Sequence, residues 1–214
     1  MTDGTRFRDA RLAWTVGGAL LAASAVVGPA LGPAAMLVPG VRFLGALCFA
    51  AATLILALGL RGAGSVTDRR PLGTIALVGL GVWPLVVIVV GAVLPPAMPV
   101  AALQAWGYAD SIIRLALAVL AVTGIARAGA VAHPWNRAPA WVLAAVAGVR
   151  VLEFAVVATR PAATSPVILL LPPLETLVST GGIVFLGVLA IVLAHRRARP
   201  GSVVVFASSD EDVS

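Results

Sequence analysis

The sequence predicts an all-α, polytopic membrane bundle of six transmembrane helices with both termini in the cytoplasm. Three observations predict it. Only 11% of the 214 residues are charged and 60% are hydrophobic, with a mean hydropathy of +1.04. A soluble domain carries about 25% charged residues, because its surface must be solvated. Six stretches reach the roughly 20 apolar residues needed to cross a hydrocarbon core about 30 Å thick. The arginines also gather on alternate connections between those stretches.

The spans follow in order. The first, 12–31, comes after the basic start that holds Arg6, Arg8 and Arg11. Its apolar run exceeds the roughly 7–15 residues of a secretory signal core, so it reads as a retained helix. The second, 43–60, contains Cys48, which as the one cysteine can form neither an internal disulfide nor a thiol-rich metal site. The third, 72–94, carries Trp83-Pro84; Pro84 lacks the amide that would bond one turn back, so a kink is expected there. The fourth, 108–127, opens at Tyr108 and holds Asp110 and Arg114. The fifth, 138–158, holds Arg150 and Glu153, and the sixth, 172–194, holds Glu175 and Ser179. The connectors are rich in Pro and Gly: "LGPAAMLVPG", "RGAGSVTDRRP", "PPAMPVAALQAWG", "AHPWNRAP" and "ATRPAATSP". Residues 1–11 form a cytoplasmic arm, 12–199 the membrane domain, and 200–214 a cytoplasmic, disordered tail. Matching the third span to the sixth aligns glycines and a final proline and little more, so an internal repeat is weakly supported.

The arginines orient the bundle. Eleven fall on the side of the termini, two (Arg42 and Arg160) on the other, and two, Arg114 and Arg150, within spans. The positive-inside rule then places both termini in the cytoplasm of a plasma-membrane protein, with the basic residues against anionic lipid. The pI of about 11.4 is explained by the same residues, which flank apolar spans, so no nucleic-acid partner is expected.

Several chemistries are excluded. All 15 basic residues are arginine, so neither a Schiff-base lysine nor a phosphate-loop lysine is present. His133 and His195 lie too far apart to suggest zinc, and no serine–histidine or paired-aspartate arrangement falls at one depth. "HPWNR" at 133–137 reads as an interfacial anchor. No catalytic set, metal or cofactor is expected, and the chain does not read as an enzyme.

The charges inside the spans carry the functional expectation. An unpaired arginine or aspartate at a helix centre costs roughly 2.5–3.5 kcal/mol to insert. Asp110, Arg114, Arg150, Glu153 and Glu175 should therefore pair and face protein or water. Asp110 and Arg114 are four apart and Arg150 and Glu153 three apart, so each pair shares a helical face. Glu175, Ser179 and Gly182 share another face; Glu175 begins the sixth helix, or lies deeper if Val167–Leu171 is also in the membrane. The set holds three acids against two arginines, which leaves one carboxylate as a candidate proton carrier or a partner for Arg160. In the fifth span Ala140, Ala144 and Gly148 form a small-residue stripe, flanked by Ala147, Val151 and Ala155, that would let another helix approach closely. With packing on one face and charge on another, helix five is expected at the buried centre of the bundle.

The reading is a small-solute or ion transporter with an outward-facing charged site between helices four to six. Asp110, Arg114, Arg150, Glu153 and Glu175 would form it, with Tyr108 and Ser179 lining. The alternative is a membrane scaffold, accessory or sensor subunit whose ion pairs are structural and whose small-residue faces join a homo- or hetero-oligomer.

Overall fold

The structure is a computed structural model that describes residues 3–30, 38–60, 63–68, 70–94, 99–129, 135–158 and 166–196. Its elements are α1 (Asp3–Ala30), α2 (Pro39–Leu58), α3 (Pro71–Val93), α4 (Val100–Ala128), a single 3-10 turn (Trp135–Arg137), α5 (Ala138–Ala158) and α6 (Pro166–Arg196). All six helices are long and apolar enough to span a membrane, so the chain folds as a multi-pass helical bundle. Arg160 and the tail at 200–214 lie outside the described residues.

Three helices begin six or more residues ahead of the expected spans. α1 begins at Asp3 and so includes the basic start. α4 begins at Val100, behind Pro99, and absorbs the "VAALQAWG" that reads as a connector. Alanine, leucine and glutamine are good helix formers, and that run holds no proline to stop them. α6 begins at Pro166 and runs through Pro172 and Pro173, where the sequence pattern places its first turn. The continuation embeds Glu175 more deeply, nine residues or about 13 Å along the axis from the helix start. α3 likewise continues through Pro84.

The six helices form a ring. Each packs on its neighbours in the chain, α6 returns to α1, and none crosses the middle. The α1–α6 and α1–α2 contacts are the most extensive and the α4–α5 seam is the thinnest. Close approach at the strong seams depends on glycine. A Cβ added at Gly18 would lie 2.5 Å from the Gly187 carbonyl oxygen, and one at Gly124 would lie 2.5 Å from the Gly73 Cα. Backbones touch at both crossings, the α1–α6 and the α3–α4, as small residues allow in membranes.

The main buried cluster is built around α1: Ala13, Trp14 and Leu21 meet Leu56 of α2 and Leu193 and Ala194 of α6. The α2–α3 connection folds back onto the end of the bundle that carries the termini. Gly59 turns there at φ +72°, Trp14 Nε1 donates to the Gly64 carbonyl at 2.7 Å, and fully buried Thr67 shares a 2.7 Å hydrogen bond with Thr74.

The expected central place of helix five is overturned. Among the described side chains of α5 only Ala138, at its start, is buried. Ala140, Ala144 and Gly148 are exposed, and a Cβ on Gly148 would meet nothing within 4 Å. The physical reason is that lipid tails are as apolar as side chains. A stripe of small residues therefore permits helix contact without requiring it. The most extensively buried member of the ring is α1, where Gly18 meets Gly187.

Candidate functional site

An open cleft of about 960 Å³ lies within the ring, and all six helices contribute to its wall. Its wall is sorted by level. Toward the end with the termini it is apolar, with Trp14, Leu56, Val66, Ile125 and Leu193 among its lining. In the other half, α4, α5 and α6 bring charge to it through Asp110, Arg114, Arg150 and Glu175. Helix lengths explain the shared level. Arg150 lies eight residues before the end of α5 and Glu175 nine after the start of α6, each about 12–13 Å from the end of the bundle opposite the termini.

Two sets of contacts organise the charges. On α4, Arg114 Nε meets Asp110 Oδ1 at 2.8 Å, one turn apart. The same oxygen accepts the indole N–H of Trp83 from α3 at 2.6 Å. On α5, Arg150 spans a helix seam: one terminal nitrogen meets Glu153 Oε2 at 3.1 Å, the other Glu175 Oε1 of α6 at 2.6 Å. Arg150 thus ties α5 to α6, while Asp110 ties α3 to α4. The two sets lie on opposite sides of the thin α4–α5 seam. Across that seam Tyr108 and Phe154 pair in a tilted arrangement, with ring centroids 6.0 Å apart and planes 33° apart. Both rings line the cavity.

Each expected site residue can be placed. Asp110, Arg114, Arg150, Glu175, Tyr108 and Ser179 line the cavity, whereas Glu153 does not and holds Arg150 from beside it. Ser179 donates to the carbonyl of Glu175, one turn back in its own helix, at 2.8 Å. The charges do not close into one five-membered network. They fall into a Trp83–Asp110–Arg114 group and a Glu153–Arg150–Glu175 group. The Arg114 and Arg150 side chains are 42% and 49% exposed, and each nitrogen–carboxylate contact is single rather than forked. A dry structural lock favours forked, fully buried pairs. Half-exposed guanidiniums on a cavity wall leave polar capacity facing the space.

Two participants, Trp83 and Phe154, were not singled out from sequence as part of the charged site. Trp83 reads there as the neighbour of a kink. Its indole N–H, in an otherwise apolar run, still requires an acceptor, and that requirement is the signal that points to Asp110. Phe154 follows Glu153 in an apolar stretch, and nothing in the local pattern marks it out. Among the described residues no group of three or more His, Cys, Asp or Glu is placed to hold a metal ion. Comparison with known protein families, with curated proteins and with solved structures finds no match.

Proposed function

We propose that this multi-pass membrane protein is a carrier that moves a small solute or ion by way of the cavity inside the helix ring. The observation that carries this reading is the placement of half-exposed Arg114 and Arg150, with Asp110 and Glu175, on the wall of a space bordered by all six helices. Charged groups within spans are costly and mark substrate or ion paths by default. The reading includes an orientation. Eleven arginines on the side of the termini against two opposite favour cytoplasmic termini in a plasma membrane, with those arginines against anionic lipid. The charged level then lies in the outer half.

Flux into proteoliposomes, measured over a panel of inorganic ions and small organic solutes, tests the proposal. Wild-type protein is expected to give flux for at least one class, and Arg150→Leu is expected to lower it while still inserting. A blank panel from folded protein overturns the carrier reading. One observation favours a second reading, a scaffold or accessory subunit: among the described residues nothing covers the Ala140–Ala144–Gly148 face of α5. Under that reading cross-linking from α5 captures a second copy or another membrane protein, and Arg150→Leu lowers thermal stability instead of flux.

A further inference from the structure

We propose that the cavity takes a lipophilic organic cation, a single ammonium-type charge joined to an apolar body. This inference rests on the cavity being a binding site, as the carrier reading requires, and names the class of its occupant.

Volume comes first. At about 960 Å³ the space stands at the upper end of the roughly 300–1,000 Å³ typical of small-molecule sites, far more than a bare inorganic ion needs. Most of its wall is apolar, and a hydrated ion gains nothing from it. An occupant that fills the space therefore carries a substantial apolar part.

Charge comes second. Among the described residues the charged level holds three carboxylates, Asp110, Glu153 and Glu175, against two guanidiniums, Arg114 and Arg150. The Asp110–Arg114 pair is balanced. The surplus of one negative charge therefore sits with the Glu153–Arg150–Glu175 group, between α5 and α6. Arg150 engages only Oε1 of Glu175. Among the described residues the other oxygen of that cavity-lining carboxylate meets no partner, which leaves it as an acceptor. An anion would reach the free N–H groups of Arg114 and Arg150 only against the repulsion of the adjacent carboxylates; a cation completes the balance.

The aromatic pair is independent of both. Tyr108 and Phe154 line the same half of the cavity and lean together across the α4–α5 seam. Ring faces carry negative electrostatic potential, and a carboxylate with aromatic faces is the usual recognition chemistry for an ammonium group. The thin contact at this seam also makes it the natural lateral entrance for a molecule partitioned into the bilayer. The cationic head would rest between Glu175 and the rings, and the apolar body would extend toward Ile125 and Leu193.

Equilibrium binding of radiolabelled tetraphenylphosphonium to the full-length protein in lipid nanodiscs tests this. Competitors are octyltrimethylammonium, tetramethylammonium (the head without the tail) and octyl sulfate (the tail with an anionic head). Saturable binding is expected, displaced by octyltrimethylammonium and not by octyl sulfate, with tetramethylammonium weaker by tenfold or more. Glu175→Gln is expected to weaken binding about tenfold or more, as loss of a charge-assisted contact implies. Phe154→Leu, which leaves the ion pairs in place, is expected to weaken it about two- to thirty-fold. Competition by octyl sulfate equal to that of octyltrimethylammonium overturns the proposal. So does unchanged affinity in Phe154→Leu and Glu175→Gln proteins whose melting temperatures match wild type. The two readings fail separately. Saturable cation binding without flux refutes the carrier and keeps the cation site, whereas flux restricted to anions or neutral solutes refutes the cation site and keeps the carrier.

Discussion

Replacing Gly18 and Gly148 by alanine, one at a time, distinguishes a bundle whose most buried helix is α1 from one whose most buried helix is α5. Both residues lie inside helices, so each alanine gains a similar amount of helix propensity, up to about 1 kcal/mol. The surroundings differ. At Gly18 the new methyl would lie 2.5 Å from the Gly187 carbonyl oxygen, 3.0 Å from Ile191 Cγ1 and 3.1 Å from Ala190 Cβ. The nearest of these is backbone and cannot rotate aside, so α1 and α6 must separate at their crossing. Overpacking of this kind costs about 1–3 kcal/mol. At Gly148 the methyl meets nothing within 4 Å. Because the propensity gain cancels in the comparison, the packing term alone separates the variants, by about 1–3 kcal/mol. For a chain of this size that corresponds to roughly 2–12 °C in melting temperature. The assay is thermal unfolding in detergent micelles, followed by circular dichroism with both variants and wild type in parallel. Gly18→Ala is expected to melt below wild type, and Gly148→Ala at or above it. Equal melting temperatures, or a larger loss in Gly148→Ala, would refute the assignment of α1 as the most buried helix.

Further outcomes follow from single contacts. Trp83→Phe removes the indole donor to Asp110 and is expected to cost about 0.6 kcal/mol, the mean for side-chain hydrogen bonds between membrane helices, and at most about 1.7 kcal/mol; a Trp83→Phe, Asp110→Ala double-mutant cycle in detergent unfolding, which removes donor and acceptor in turn, should show coupling of that size, and additivity would exclude the contact. Gly124→Leu at the Gly73 crossing should lower stability by more than Gly181→Leu, whose Cβ meets nothing within 4 Å, read by the same melting assay. Thr67→Val strands the Thr74 hydroxyl beneath the α2–α3 connection and is expected to cost about 1–3 kcal/mol, visible as earlier proteolysis of that connection under limiting protease. Cysteines placed at Tyr108 and Phe154, where the rings now meet, should cross-link across the α4–α5 seam with a bifunctional thiol reagent, after Cys48 is replaced by serine. Failure to cross-link would place those helices apart.

Much of the fold is legible in the sequence because bilayer solvation is a one-dimensional constraint. A run such as Leu72–Leu94 must satisfy its own backbone and bury apolar side chains in lipid, and both requirements are local. Helix number and type therefore follow from composition and length. The pairs Asp110–Arg114 and Arg150–Glu153 are legible for the same reason, as helical periodicity puts each on one face. Helix ends are less so. "VAALQAWG" resembles a connector only because its glutamine and glycine dilute an apolar average, yet nothing in it stops a helix. Pro172 and Pro173 look like a first turn and are in fact embedded in α6.

The sequence by itself determined a six-helix, lysine-free membrane chain with five charges embedded in its second half. Only the tertiary structure decided that the helices form a ring, that α1 rather than α5 is its most buried member, and that Arg150 bridges Glu153 to Glu175 while Asp110 turns to Trp83. The physical reason is that insertion depends on each helix alone, whereas packing depends on which surfaces interlock. Lipid rewards apolar faces equally, so the choice passes to short-range steric fit, such as Gly18 against Gly187. That fit is a relation between residues 169 positions apart (187 minus 18), and no local periodicity encodes it.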